Sequence, residues 1–552
     1  MSYRIGSPLG ARLCALLVVS AGLATQVAAA TLPTAPQTFD TTYAAPSGNT
    51  INVAAGGDFQ TALNNAQLGD TIVLAAGASY VGPFSLPNKT SGSGWIYVTS
   101  SQYAKLPGPG QRVSPNNAAS MPKILSPANN NAMVTVNNSH HFRFVGIEFA
   151  PVSGAFTYNV VTIGNKDKST ATLANHIVFD RCYIHGDPVA QNRRGIEMDG
   201  AYVAVVDSYV SAFKQVGYDT QALSAWNTSG PLKIVDNYLE GAGENVMFGG
   251  ADSAAPSLVP SDIEIRNNLF FKPLTLSTQY VIKNLLEFKS AQRVLVAGNV
   301  FQNNPAAAQQ GFGLLLTPRN QQQTAPWSTT TDIAVTGNAF INLGSGINIL
   351  GTDNLETSGK TARVSIINNV IGVTALGGAS GRAFQIICGG SDITIDHNTI
   401  FNSSPASAPS DVMASGGASC PAGSTITTNF VFTNNLSTHT AYGFFGSGVG
   451  TGTAALKANF SDWTFTDNVL VGEKAGAYPS GNFFPAALAE VLFTSYTGGV
   501  YAGGDYTLSA KSPYKNAGTD GLDLGATLDG ATLAGNAANA ILPLPPSNLS
   551  VK

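Results

Sequence analysis

Between residues 177 and 470 one hydrophobic–polar phrase keeps returning: three alternating apolar positions, two polar positions, then another apolar pair. It reads "IVFDRCYI" at 177–184, "VAVVDSYV" at 203–210, "IEIRNNLFF" at 263–271, "ITIDHNTI" at 393–400 and "WTFTDNVL" at 463–470. Strict alternation predicts a strand with one buried face, and the polar pair predicts a bend. The second polar position is Cys182, Ser208, Asn237, Asn268, Asn299, Asn338, Asn369, Asn398, Asn435 and Asn468. Successive gaps are 26, 29, 31, 31, 39, 31, 29, 37 and 33 residues. A period near thirty makes each repeat one coil of a solenoid. The Asn column predicts a ladder of side-chain amides bonding between coils about 4.8 Å apart, with Asn also suited to a left-handed bend.

A leucine-rich repeat fits poorly, because the period varies and Leu is not the repeated residue. A propeller would need four strands in each unit. The fold expected is all-β: a right-handed parallel β-helix of about ten or more coils, its hand taken from resemblance to known solenoids. "GGDFQTALNNAQLGD" (56–70) spaces Phe59, Leu63 and Ala66 as on a helix, which would cap the open end of the stack. "DYTLSAKSPYKNAGTDGLDLGA" (505–526) looks like a closing segment.

The first thirty residues read as an export signal: Arg4 and Arg12, an apolar Leu13–Leu23, then Ala28-Ala29-Ala30. The expected division is signal 1–30, leader 31–48, β-helix 49–540 and Pro-rich tail 541–552. The apolar core is too short to span a bilayer comfortably, and no later stretch has membrane-span length. The protein is therefore expected to be secreted, periplasmic or extracellular, as a monomer. Charged residues make up 11% of the chain and the formal charge is −4, which argues against a nucleic-acid partner. Of the four cysteines, Cys14 leaves with the signal, and Cys182 falls in the Asn column, where a buried inert thiol is expected. Cys388 and Cys420 sit on neighbouring coils, where an oxidising compartment would permit a disulfide. The histidines show no metal-ligand spacing.

A second strand precedes each phrase: "GIEMDG" (195–200), "ALSAWNTS" (222–229), "NVMFGGAD" (245–252), "NLLEFKSA" (284–291), "FGLLLTPRN" (312–320), "GINILGTDN" (346–354) and "AFQIICGG" (383–390). Residues just past these strands should share a face: Asp199, Asn227, Asp252, Lys289, Arg319, Asp353 and Asn354. Trp226, Asn227, Asp252, Asn320, Asn348 and Asp353 are the candidate substrate contacts. Arg194, Gln221, Glu244 and Lys283 stack where the strands begin, and Lys283 with Glu244 reads first as a structural ion pair. Residues 185–330 hold most of the charge and aromatic groups near this column, whereas 400–520 are mainly Gly, Ala, Ser and Thr.

Lys289 and Arg319 are the candidate catalytic pair. An acidic polysaccharide can be cut by β-elimination when a base removes the C5 proton of a uronic acid and the C4 oxygen leaves. The adjacent carboxylate makes that proton hard to remove, so the site must offset its charge with Arg, Lys or a cation. Lysine can serve as base and arginine's fork suits the carboxylate. The Lys of "EFKS" (287–290) and the Arg of "LLTPRN" (315–320), one coil apart, resemble the chondroitinase B and alginate lyase family, a likeness of fold that covers roughly residues 50–530. The resemblance implies Lys289 as base and Arg319 as acid or substrate binder. That family holds calcium through acids five and seven positions before its lysine. Here those positions are Asn284 and Ile282, leaving Glu244 and Glu287 as candidate ligands should calcium bind. Two other readings stay open. A β-helix glycoside hydrolase would use paired carboxylates, with Asp199, Asp219, Glu244 and Asp252 the candidates, although the Gly-His-Gly and Arg-Ile-Lys signatures of galacturonases are absent. A non-catalytic polysaccharide-binding surface protein or adhesin would use the same long face.

Overall fold

The computed structural model describes residues 30–528 apart from 165, 405, 407–408, 417–419, 422 and 497–504. The predicted signal and Pro-rich tail lie outside the described residues.

Three long sheets run side by side, of 14, 13 and 13 strands, and successive coils add one strand to each. The strand pairs within them are parallel except where Phe444–Gly446 meets Gly450–Thr451. The chain passes from the first sheet through the Asn bend to the second, then to the third, and so forms a right-handed parallel β-helix. Alternation within each strand sends one side chain inward. Ile263, Ile265, Phe270, Leu286 and Phe288 are fully buried in one continuous core. Stacking in register lines up like residues, as in Phe270–Phe301–Phe340 with ring centroids 4.5 and 4.6 Å apart. Each such side chain withdraws apolar area worth about 1.5–3 kcal/mol.

The amide ladder follows the polar column. The Nδ2 of Asn237 donates to Asn268 Oδ1 (3.0 Å), Asn268 to Asn299 (2.9 Å), Asn299 to Asn338 (3.0 Å) and Asn338 to Asn369 (2.9 Å). The run continues through Asn398 and Asn435 to Asn468, which donates to Asn482 (2.9 Å). Each oxygen also accepts the backbone N–H of the preceding rung. Buried amides thereby satisfy one another. Left-handed backbone falls one position earlier than the ladder residue, at Arg181, Asp207, Asp236, Asn267, Gly298, Gly337, Asn368, His397, Asn434 and Asp467. The Asn is placed by its amide, and its neighbour takes the strained turn. Cys182 starts the column, fully buried, with burial pushing its thiol up to about 12.

The capping helix forms over Phe59–Asn65, with Asp58 accepting from the Thr61 N–H and Phe59, Ala62 and Leu63 buried. No helix among the described residues is long and apolar enough to cross a membrane.

The leader has a structural role that its sequence does not announce. Residues 31–39 run along the stack, across the first sheet. The backbone N–H groups of Thr31, Thr34 and Gln37 donate to Asp392, Asp332 and Asp262 at 3.1, 3.0 and 2.9 Å. Those aspartates alternate with Arg293 and Arg363 on successive coils. Three extended residues span about 10 Å, which matches two coils at about 4.8 Å each. Phe39 ends this run against Trp95, His176 and Tyr202.

Candidate functional site

The third sheet carries the site. Its central strands are Gln221–Ala225, Glu244–Phe248, Leu286–Phe288, Phe312–Leu316, Ser345–Leu350 and Arg382–Ile387. Val246 pairs with Leu286 and Leu286 with Leu314, so these two strands sit one residue later than their bare sequence alignment suggests. A slip of one residue exchanges inward and outward side chains. Leu286 and Phe288 are thus core, Phe288 stacking on Phe248 at 5.2 Å, and Glu287 faces out between them.

Lys289 follows this strand directly. Its N–H donates to Phe248 O (2.7 Å), and its carbonyl accepts from Arg319 N (2.8 Å) and Ser328 Oγ (3.0 Å). The two candidate cations are therefore joined through the backbone across successive coils. Gly249, at φ +90°, permits the approach, since a Cβ there would lie 2.8 Å from the Lys289 Cβ.

Lys289 and Arg319 line one open cleft of about 530 Å³, together with Glu287, Gln309, Leu315, Asn348, Asn354 and Gln385. Lys289 Nζ stands 3.8 Å from Glu287 Oε1, and Glu287 Oε2 accepts from Asn284 Nδ2 at 3.2 Å. Arg319 uses only Nη1 on its neighbours, donating to Asp353 Oδ1 (2.6 Å) and Asn354 Oδ1 (2.7 Å). Its Nη2 and Nε have no acceptor among the described residues. Asp353 orients the guanidinium while leaving one edge to the cleft. Burial pushes the Asp353 pKa up, but N–H donors from Leu355 and Asn320 and the Arg319 charge outweigh it, so the carboxyl stays below its ordinary range.

Outside the cleft lining, earlier coils of the same sheet carry a relay of charge. Arg194 Nε donates to Gln221 Oε1 (2.7 Å), and Gln221 Nε2 donates to Glu244 Oε2 (2.7 Å). Lys283 Nζ lies 3.7 Å from Glu244 Oε1 and donates to Asp219. Burial, then Glu287 and Asp219, push Glu244 up to about 7. Burial works against the Lys283 charge, but Glu244 and Asp219 prevail and hold its pKa above the usual value. Beneath lies Lys272, fully buried, donating to Gly241 O, Asn245 Oδ1 and Asn284 O at 3.0, 2.7 and 2.9 Å. Burial lowers its pKa to about 7.

This donor set does not fit a calcium ion. Calcium takes six to eight oxygens. Glu244 and Glu287 each face an ammonium group, Ile282 is a buried apolar side chain, and no group of three His, Cys, Asp or Glu side chains placed to hold a metal occurs among the described residues.

Of the predicted contacts, Asn348 reaches the cleft, where its Oδ1 accepts from Gln385 Nε2 at 2.7 Å. Others are used inside the chain, because turns past a strand must satisfy their own backbone groups. Asn227 is buried, donating to Asp167 O and accepting from Ser253 and Ala255. Asn320 bonds Thr357 O and Ala325 N, and Asp353 accepts the Asn320 N–H. Asp252 staples the 322–324 turn through Gln322 and Thr324. Trp226 lies outside the cleft, its ring beneath the Arg194 guanidinium at 5.3 Å. Asp199 is fully buried, holding the Trp226 and Asn227 N–H groups, with burial and then Glu197 pushing it up to about 8. With Glu244 also fully buried and Asp219 held by Lys283, these carboxyls do not flank an open cleft. Sequence reasoning missed Gln309, Gln385 and Lys272, which carry no local signal. Cys388, at the cleft edge, is disulfide-bonded to Cys420.

Solved structures similar in shape include polysaccharide lyases. The alginate lyase AlyGC, of family PL6, matches 87% of this chain and 59% of its own length at 14% identity and TM-score 0.50. A mutant form of that enzyme matches at 16% identity and TM-score 0.51, over 86% and 58%. The chain thus spans about three fifths of that enzyme. The pectate lyase Pel9A matches 87% of this chain at 14% identity, with TM-score 0.34. At these identities the likeness is one of fold. No protein-family profile and no curated protein matches the sequence.

Proposed function

We propose that this protein is a secreted lyase that cuts a uronate-containing polysaccharide by β-elimination, with Lys289 as base and Arg319 as its partner. The observation that carries the reading is the shared cleft: two cations on successive coils, bonded through their backbones, line one hollow. The free edge of Arg319 offers parallel donors to the uronate carboxylate and draws off the charge that builds there. Lys289 first gives its ammonium proton to solvent and then, as the neutral amine, accepts the C5 proton. The C5–H electron pair forms the C4–C5 double bond as the C4–oxygen bond breaks, and the departing oxygen takes up a proton from water. Glu287 holds the lysine side chain at the cleft, and Gln385 with Asn348 provides neutral hydrogen-bonding groups for sugar hydroxyls.

The test is to incubate protein lacking residues 1–30 with a panel of uronate polymers and follow the absorbance of unsaturated ends. The expected result is a gain that Lys289→Ala reduces by about 10³-fold. New reducing ends without absorbance would instead indicate hydrolysis, and binding without product an adhesin. Because Lys283 and Lys289 already face Glu244 and Glu287, a calcium chelator should leave both the rate and the melting temperature unchanged. Loss of activity restored by added calcium would refute that part.

A further inference from the structure

Beyond the cleft, the third sheet carries a second cationic feature that the elimination chemistry does not use. Arg193 lies in strand Asn192–Met198, and its guanidinium sits between two half-exposed rings, 4.7 Å from Tyr158 and 5.1 Å from Tyr218. Arg194 adds contacts at 5.0 Å to Tyr158 and 5.3 Å to Trp226. The two arginines differ in what holds them. Arg194 is buried, bonded to Gln221, and close enough to Glu197 and Asp199 for its charge to oppose the burial that raises both of their pKa values. Arg193 forms no ion pair among the described residues, and its only hydrogen bond there runs from Nε to the carbonyl of Asp219 at 3.1 Å. Both Nη groups are left without an acceptor among the described residues.

A guanidinium fixed by two rings and one carbonyl has lost most of its rotamer freedom before any ligand arrives, so a carboxylate meets a preorganised fork. The rings beside it present apolar faces of the kind that pack on sugar. A line of charged contacts leads from it toward the cleft: Asp219, whose carbonyl holds Arg193, pairs through its carboxylate with Lys283, Lys283 faces Glu244, and Glu244 feels the charge of the cleft residue Glu287. Strand Asn192–Met198 lies three strand steps from Leu286–Phe288, or about 14 Å along the stack at about 4.8 Å per step.

We infer that Arg193, flanked by Tyr158 and Tyr218, is a distal subsite that grips the carboxylate of a uronate residue a few sugars from the bond being cut. The inference rests on the reading above that the polymer is a uronate. It makes Arg193 a determinant of chain length: long substrates reach it and the shortest oligosaccharides do not.

The experiment is affinity electrophoresis in gels cast with sodium alginate, sodium polygalacturonate or neutral dextran. Wild type, Lys289→Ala, Arg193→Gln and Arg193→Lys are compared, with melting temperatures to confirm folding. Wild type should be retarded in at least one uronate gel and not in dextran, and Lys289→Ala shows how much of that retardation the cleft itself supplies. Arg193→Gln should bind about tenfold more weakly, and Arg193→Lys, which keeps charge without the fork, should fall between. On any polymer that is cleaved, Arg193→Gln should raise KM for long chains and leave short oligosaccharides unaffected. Retardation of Arg193→Gln equal to wild type, or no retardation of wild type in either uronate gel, overturns the subsite. Weakened binding by Arg193→Gln without unsaturated ends from any protein would sink the lyase reading and leave the subsite standing.

Discussion

The interior column from Asn237 to Asn468 and the outward column from Glu197 to Gln385 climb the same coils under different constraints. The first repeats one residue at each step. The second, matched by register, reads Glu197, Ser224, Met247, Glu287, Leu315, Asn348 and Gln385. In the dry interior each amide bonds the amide of the next coil as well as a backbone carbonyl, so one Asn favours the next. An outward side chain has water or a ligand as partner, and nothing in the fold asks it to match its neighbour. Repetition therefore marks what holds the solenoid together, and its failure marks where a polymer can be recognised.

Breaking the interior column should have the largest effect on stability and little on the cleft. Asn338→Ala removes the oxygen that accepts both the N–H and the Nδ2 of Asn299. It should cost about 3 kcal/mol in denaturant unfolding, while activity per folded molecule stays near wild type. A loss below about 0.5 kcal/mol would mean that water replaces the rung.

A smaller effect is expected at the leader. Asp332 accepts the Thr34 N–H and both edge donors of Arg363, and is nearly buried. Asp332→Ala should cost about 1–2 kcal/mol and speed amide exchange at residues 31–37 without touching the cleft. Unchanged exchange there would show that the leader is held by Phe39 alone.

A third effect is a change in pH dependence beside the head of the outward column. Asp199 has an ordinary value of 3.8 and is pushed up to about 8 in the folded protein. Between those values the native state binds more protons than the unfolded chain, so this group makes stability fall as pH rises through the window. Asp199→Asn keeps an acceptor for the Trp226 and Asn227 N–H groups and removes the titration. Its melting temperature should gain on wild type from pH 5 to pH 8. A constant difference across that range would show that Asp199 does not titrate there.

The interior column was legible from the chain because its signal is local and repeated: alternation, a polar pair, an Asn. The helix over Phe59–Asn65 was legible for the same reason. Lys289 and Arg319 stood out because a cation just past an apolar strand is conspicuous in a chain with few charges. What stayed hidden depends on partners far apart in sequence. Thr34 meets Asp332 across 298 residues, and Asp252 meets Gln322 across 70. Asp252, Asn227 and Asn320 looked free because the loops they hold were not visible. The buried state of Lys272 and Asp199 follows from packing around them rather than from their immediate neighbours.

The most direct test of the shared cleft is a double-mutant cycle on Lys289→Ala and Arg319→Ala, with the rate of unsaturated-end formation as the readout. Residues that stabilise one transition state act as a unit, so each single change should lower kcat/KM by about 10²–10³-fold and the double should be no slower than the worse single. Losses that multiply, with both singles still folded, would place the two cations in separate tasks and contradict a common site.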